Sequence, residues 1–254
     1  MNRKNAHSYL NVADFSIENE IIRELDMMKS VASKLYNIDL NDISNLKRDK
    51  SFKHYDRCWR FNVSLTDGSK NTFYVKSTHK TGPVGEALGM TLSNILLEDA
   101  NYNFIISNNG DDVGLTVTDN LKGVKVVDLQ SVGYQHFDAF SFGVALELSN
   151  ALGLYDRHSG NLMVHEKKMF HIDFGRIFSQ DTVTRPKKMF EYFETPNKKK
   201  SDMGRKYGRQ MITERFLSNK VLIENILKEA EKEGFEFTRD PLKHLNDYIR
   251  KSFG

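Results

Sequence analysis

Apolar residues return at helical spacing over residues 15–37, where Ile17, Ile21, Ile22, Leu25, Met28, Val31, Ala32 and Leu35 predict an amphipathic helix. The pattern then shortens to the two-residue period of strands. Residues 43–48 predict a first strand, and 57–65 and 71–78 two more, joined as a hairpin by the turn signal Thr66-Asp67-Gly68-Ser69. Gly82-Pro83 interrupts the chain, and 84–98 predicts a helix with Leu88, Leu92, Ile95 and Leu96 on one face. Strands follow over 103–107 and 113–118, around the turn Asn108-Asn109-Gly110-Asp111. A loop at Asp119–Lys122 leads to an apolar helix over 135–152, then to a polar motif region. Helices over 210–233 and 241–252 close the chain. The order is a strand-rich half, a short connection and a helix-rich half. That is an α+β chain, with residues 1–118 as one lobe and 119–254 as the other, and a ligand cleft is expected between two such unlike halves.

Composition narrows the class. The 254 residues are 39% hydrophobic and 28% charged, ordinary for a globular chain with real cores. A single cysteine, Cys58, cannot form an internal disulfide and points to a reducing compartment. The polar N-terminus has no apolar stretch after it, so no secretory signal is expected, and no apolar run is long enough to span a bilayer. The expected location is cytoplasmic, or a host cytosol if the protein is a delivered effector. His7, His54, His79, His136, His165 and His244 are scattered without metal-ligand spacing, so no zinc site is inferred. The aromatic residues form no RNA-binding motif, and no nucleic-acid partner is expected.

Charge changes the picture in one place. The net charge is +3, but residues 1–150 carry 16 Lys/Arg against 19 Asp/Glu, and 151–254 carry 21 against 15. Residues 176–209 alone hold 10 basic against 4 acidic side chains. Such a segment is either a solvated surface or the seat of an anionic partner.

The chemistry lies between the helix at 135–152 and that basic segment. Asp156 precedes Asn161 by five positions, and Asp173 follows twelve later in His171-Ile172-Asp173-Phe174-Gly175. The apolar runs Leu162-Met163-Val164 and Met169-Phe170-His171-Ile172 flank Glu166-Lys167-Lys168. They predict a hairpin with Asn161 and Asp173 at the same end. A carboxylate and an amide carbonyl suit Mg²⁺, a hard oxygen-seeking cation. A second carboxylate near an acceptor hydroxyl can take its proton. Each of the three residues alone is as readily a turn residue. Upstream, Lys76 interrupts the apolar strand Phe73-Tyr74-Val75, and Glu86 near the next helix start is its natural partner. Lys76 on the solvent face of an edge strand, and Glu86 as a helix-dipole residue, are the alternatives.

Asp-x-x-x-x-Asn followed by Asp-Phe-Gly has the spacing of protein-kinase catalytic and metal loops. In the form Asp156-Arg157-His158-x-x-Asn161 with His171-Ile172-Asp173-Phe174-Gly175, it more closely resembles the phosphatidylinositol 3-/4-kinase-related superfamily. The close likeness covers 156–175; the rest is similar only in layout. The resemblance implies a minimal bilobal protein-kinase-like fold, with an antiparallel-sheet N-lobe and a helical C-lobe. It implies Asp156 as catalytic base or orienting group, His158 as auxiliary base or stabiliser of the transferring phosphate, and Asn161 and Asp173 as metal ligands. Lys76 would contact the ATP phosphates and pair with Glu86, with Asp119 also in the ATP site. No Gly-x-Gly-x-x-Gly precedes Lys76. Relatives in that superfamily use a serine- and lysine-containing loop instead, which makes Ser51 and Lys53 candidates for phosphate contacts, the alternative being an ordinary basic strand turn. The basic segment then corresponds to an activation segment in which Lys187, Lys188, Lys198, Lys199 and Lys200 hold the acceptor.

The implied activity is transfer of the γ-phosphoryl group of ATP, with Mg²⁺ or alternatively Mn²⁺, to a hydroxyl. Small size favours a Ser/Thr protein kinase resembling bacterial effector and HipA-like toxin kinases. The Asp-Arg-His form and the basic segment favour a phosphoinositide kinase. A nucleotide-binding scaffold without activity is the third possibility.

Overall fold

The computed structural model describes residues 9–10, 25–49, 58–79, 81–98, 100–107, 113–119, 124–125, 138–154, 159–178 and 197–253. The first helix, α1 (Leu25–Tyr36), is followed by strands β1 (Ile43–Arg48), β2 (Cys58–Leu65) and β3 (Lys70–His79), and by helix α2 (Gly82–Leu96). Strands β4 (Phe104–Ser107), β5 (Val113–Asp119) and β6 (Val124–Lys125) precede helix α3 (Ala139–Ala151). Strands β7 (Leu162–His165) and β8 (Lys168–His171) are followed by helices α4 (Lys198–Ser218), α5 (Lys220–Lys232) and α6 (Pro241–Phe253). The chain forms two compact units: Met1–Ala87 with Tyr102–Leu121, and Leu88–Asn101 with Lys122–Gly254. The boundary falls within α2.

In the first unit a five-stranded sheet runs in the order β1-β2-β3-β5-β4, every neighbouring pair antiparallel. Alternation gives the strands two faces. Phe61 and Val63 of β2 and Phe73 and Val75 of β3 are buried. They form one core with Met28, Val31, Ala32 and Leu35 of α1, which recur at i, i+3, i+4 and i+7. Phe61 lies directly opposite Phe73, and their rings stack at 5.2 Å. The β2–β3 turn matches its sequence signal. Gly68 takes φ +87°, and the Ser69 N–H donates to Asp67 Oδ1 at 2.8 Å.

In the second unit β6-β7-β8 form a small antiparallel sheet, and α3 and α4 pack very closely. A Cβ at Gly143 would overlap the Ser201 carbonyl oxygen, and one at Gly204 the Phe140 carbonyl oxygen. Only glycine lets the two backbones come so near. Gly204→Ala should therefore lower stability by roughly 1–3 kcal/mol through overpacking, read as a lower urea midpoint at unchanged slope. An unchanged midpoint would show that the helices can part without cost.

This helix pair buries a charge. Glu147 of α3 is fully buried and accepts from Arg205 Nε at 3.1 Å, Arg209 Nε at 3.1 Å and the Tyr248 hydroxyl at 3.0 Å. Burial, then the Glu147 charge, push the Tyr248 phenol up, while its hydrogen bond to Glu147 raises Arg209 further above its ordinary value. A buried carboxylate is tolerable because three donors, two of them cationic, satisfy it.

Two expectations are corrected here. The helix expected over 135–152 starts at Ala139, because Asp138 caps it by accepting from the Ser141 N–H at 3.0 Å. The single helix expected over 210–233 is two, α4 and α5, interrupted at Asn219. Since α4 begins at Lys198, the later part of the basic segment is helical.

Candidate active site

Lys76 lies on β3, the middle strand of the five, opposite Cys58 of β2 and Thr116 of β5. The edge-strand alternative therefore falls away. Phe73, Val75 and Ser77 are buried, so strand alternation sends Lys76 to the face away from that core. Its Nζ donates to Glu86 Oε1 of α2 at 2.7 Å, with the Lys76 side chain 36% exposed and that of Glu86 only 7%. A carboxylate this buried is satisfied by its cation, and it holds the ammonium in one place. Asp119 ends β5. Its carboxylate lies 3.0 Å from the Tyr36 hydroxyl, which is equally close to the Thr72 carbonyl. Burial, and next the Asp119 charge, push the Tyr36 phenol up.

In the second unit a 3₁₀ turn at Ser159–Asn161 enters the β7–β8 hairpin. Its two-residue turn, Glu166-Lys167, takes φ +48° and +68° without glycine. Leu162 pairs with His171, and the Ile172 N–H donates to the Asn161 carbonyl at 2.9 Å. The ladder thus runs one pair beyond the strands and ends with Asn161 and Asp173 at the same end. Asn161 is buried. Asp173 is exposed and takes φ +64°, a left-handed backbone that aspartate tolerates better than most residues.

Neighbours fix this loop from behind. The buried His171 places Nε2 2.8 Å from the Ala145 carbonyl and 3.0 Å from Ser149 Oγ, both on α3. A carbonyl only accepts, so Nε2 carries the proton. Phe174 is buried against α2 where a Cβ at Gly89 would overlap its ring. Sequence reasoning passed over His171, Ser149 and Gly89 as positioning residues. Only the small Gly89 amid the apolar face of its helix signalled a close approach.

Asn161 and Asp173 offer an amide and a carboxylate oxygen, which is the donor chemistry of Mg²⁺; such sites are completed by phosphate oxygens and water. Lys198 pairs with Asp202 at 2.9 Å, and Lys200 with Asp138. Burial raises the Asp138 carboxyl, but the Lys200 hydrogen bond and the Ser141 N–H outweigh it and hold the group below the usual range. Ser51, Lys53, Asp156, His158, Lys187 and Lys188 lie outside the described residues.

The family described as phosphatidylinositol 3- and 4-kinase matches residues 66–234, two thirds of the chain and every motif above from Lys76 to Asp173. The chain belongs to this family. Its fold is α+β, and the family generally uses ATP with a divalent metal. No curated protein matches it in sequence. Solved structures resemble it at low identity. One is the open conformation of CtTel1, 12% identical over 77% of this chain and 10% of that one, TM-score 0.46. Another is the Helicobacter pylori proinflammatory kinase CtkA, 9% identical over 80% and 96%, TM-score 0.42. A third is the Rio2 kinase of Chaetomium thermophilum in an ADP/Mg²⁺-phosphoaspartate complex, 14% identical over 90% and 76%, TM-score 0.39. The chain thus spans a tenth of the CtTel1 chain. Among the described residues no helix is long and apolar enough to cross a membrane.

Proposed function

We propose that the protein transfers the γ-phosphoryl group of ATP, in a Mg²⁺-dependent reaction, to a Ser or Thr hydroxyl of a protein. The observation that carries the proposal is the hairpin end, where the backbone bond from Ile172 to Asn161 at 2.9 Å extends the ladder so that Asn161 and Asp173 lie at its same end. Bound Mg²⁺ would neutralise charge on the β- and γ-phosphates. Asn161 and Asp173 hold that ion. Lys76, steadied by Glu86, binds phosphate oxygens, joined by Ser51 and Lys53 from the preceding loop. Asp156 accepts the proton of the incoming hydroxyl, with His158 in support. The acceptor rests on the basic segment, where Lys187, Lys188 and Lys199 meet its acidic groups.

A second reading keeps the same machinery and changes the acceptor to a phosphoinositide. The name of the matched family and the basic segment favour it; the spacing of Asp156, Asn161 and Asp173-Phe174-Gly175, shared with protein kinases, favours protein. Radiolabelled ATP supplied in parallel with a protein mixture and with phosphoinositide vesicles, each with and without Mg²⁺, separates the two. Label on protein Ser or Thr supports the proposal, and label on lipid alone replaces it with the second reading. ATP left intact in every arm refutes both.

The Lys76–Glu86 pair allows a separate check. Lys76→Met should cut turnover by about 10²-fold, and Glu86→Ala by less, since it removes only the group that orients the lysine. A double-mutant cycle on kcat/KM should then show a coupling on the order of 1–2 kcal/mol. Two losses that simply add would mean that the 2.7 Å pair has no part in transfer.

A further inference from the structure

Helix α4 buries one face and leaves the other open. Ser201, Gly204, Gly208, Ile212 and Phe216 are buried, the small ones directly against α3. Half a turn round, Met203 and Leu217 are 58% and 57% exposed; Tyr207, 45% exposed, sets its ring 5.5 Å from that of Phe140 on α3, and Val221 at the start of α5 is 71% exposed. These four are the majority of the six large exposed hydrophobics among the described residues. Single exposed apolar residues need no explanation, but an aligned row of them does.

Turned end for end, the row meets its own complement. Gln210 is its midpoint. Four residues before it stands Lys206 and four after it Glu214; seven before it stands Met203 and seven after it Leu217. All are exposed on the same face, because offsets of three, four and seven return to one side of a helix. Gln210 Nε2 donates to Glu214 Oε1 at 2.9 Å, which keeps both side chains along that face. We propose that a second copy of this chain docks on the face, turned end for end about Gln210, to form a two-fold dimer. The turn sets Met203 against Leu217 of the other copy, and Lys206 against its Glu214, each pair occurring twice. Self-complementarity of this kind is what an isologous interface requires, and an unrelated partner does not demand it. A helix face about 30 Å long and about 10 Å wide is small for an interface, so the dimer is weak and concentration-dependent.

Charge exchange tests this. Sedimentation velocity on the wild-type chain, from micromolar to submillimolar concentration, should show the average mass rising toward twice the monomer. Lys206→Glu should hold the protein monomeric, because it sets a second carboxylate against Glu214 at both symmetry-related contacts. Glu214→Lys should do the same by opposing two lysines. The double variant restores the opposite charges and should dimerise as the wild type does. Both positions are exposed, and matching urea midpoints for the four proteins confirm that each is folded. A wild-type chain that stays monomeric throughout overturns the proposal. So does a dimer that Lys206→Glu leaves intact, a double variant that fails to recover, or assembly that continues past two copies.

Discussion

Asp173→Ala should abolish phosphoryl transfer and weaken binding of Mg²⁺ with ATP, leaving the folded state in place. Asp173 is exposed at the end of the β7–β8 ladder, where an ion from solution can reach it. Removing one of the groups that stabilise transition-state charge costs ~10²–10³-fold in turnover, and loss of a metal-holding carboxylate should cost at least that much. Alanine at φ +64° also brings backbone strain of roughly 1–2 kcal/mol, which alone could loosen the loop. Asp173→Asn separates the two effects, since asparagine accepts the left-handed backbone yet carries no charge. Both variants should therefore fail alike, and turnover should recover in part at high Mg²⁺ only if residual oxygen donors still hold the ion. The thermal midpoint of Asp173→Asn should match the wild type. Full turnover of either variant at saturating Mg²⁺ would remove Asp173 from the metal site.

Much of this site is legible in the chain because its elements advertise themselves by period. The strand carrying Lys76 alternates Phe73, Val75 and Ser77 with outward residues, and the hairpin from Leu162 to His171 shows two short apolar runs about a polar turn. Asn161 and Asp173 could be placed together from that pattern. The first half of helix α4, residues 198–209, could not be placed, because its buried face is made of Ser201, Gly204 and Gly208, which hydropathy does not register. Their value lies in having no bulk, and that is visible only once α3 lies across them. The same applies to Gly89, whose missing side chain makes room for Phe174. Glu147 reads as a surface charge within an apolar run, and its burial follows from Arg205, Arg209 and Tyr248, which lie at least 58 residues away in sequence. Spacing patterns reach neighbours within one element, whereas these partners are supplied by packing between elements.

Asp156→Asn should leave ATP affinity close to that of the wild type and slow transfer by about 10²–10⁴-fold, equivalent to roughly 3–5 kcal/mol of barrier. Asp156 stands five residues before Asn161, just ahead of the 3₁₀ turn at Ser159–Asn161 that leads into the hairpin. Its proposed task is to take a proton from the acceptor hydroxyl, a task that arises only as the bond to phosphorus forms. Asparagine preserves its shape and some of its hydrogen bonding but cannot act as a base, so binding and chemistry should separate. The pH dependence of kcat/KM distinguishes it from His158. A carboxylate base gives an acid limb near the ordinary aspartate range of about 4, and an imidazole gives one near about 6.5. The lower limb should vanish in Asp156→Asn and persist in His158→Ala, which should lose at most a limb in the imidazole range. If ATP affinity falls in step with the rate, Asp156 is instead a structural residue of the loop. If the lower limb survives in Asp156→Asn, another carboxylate takes the proton.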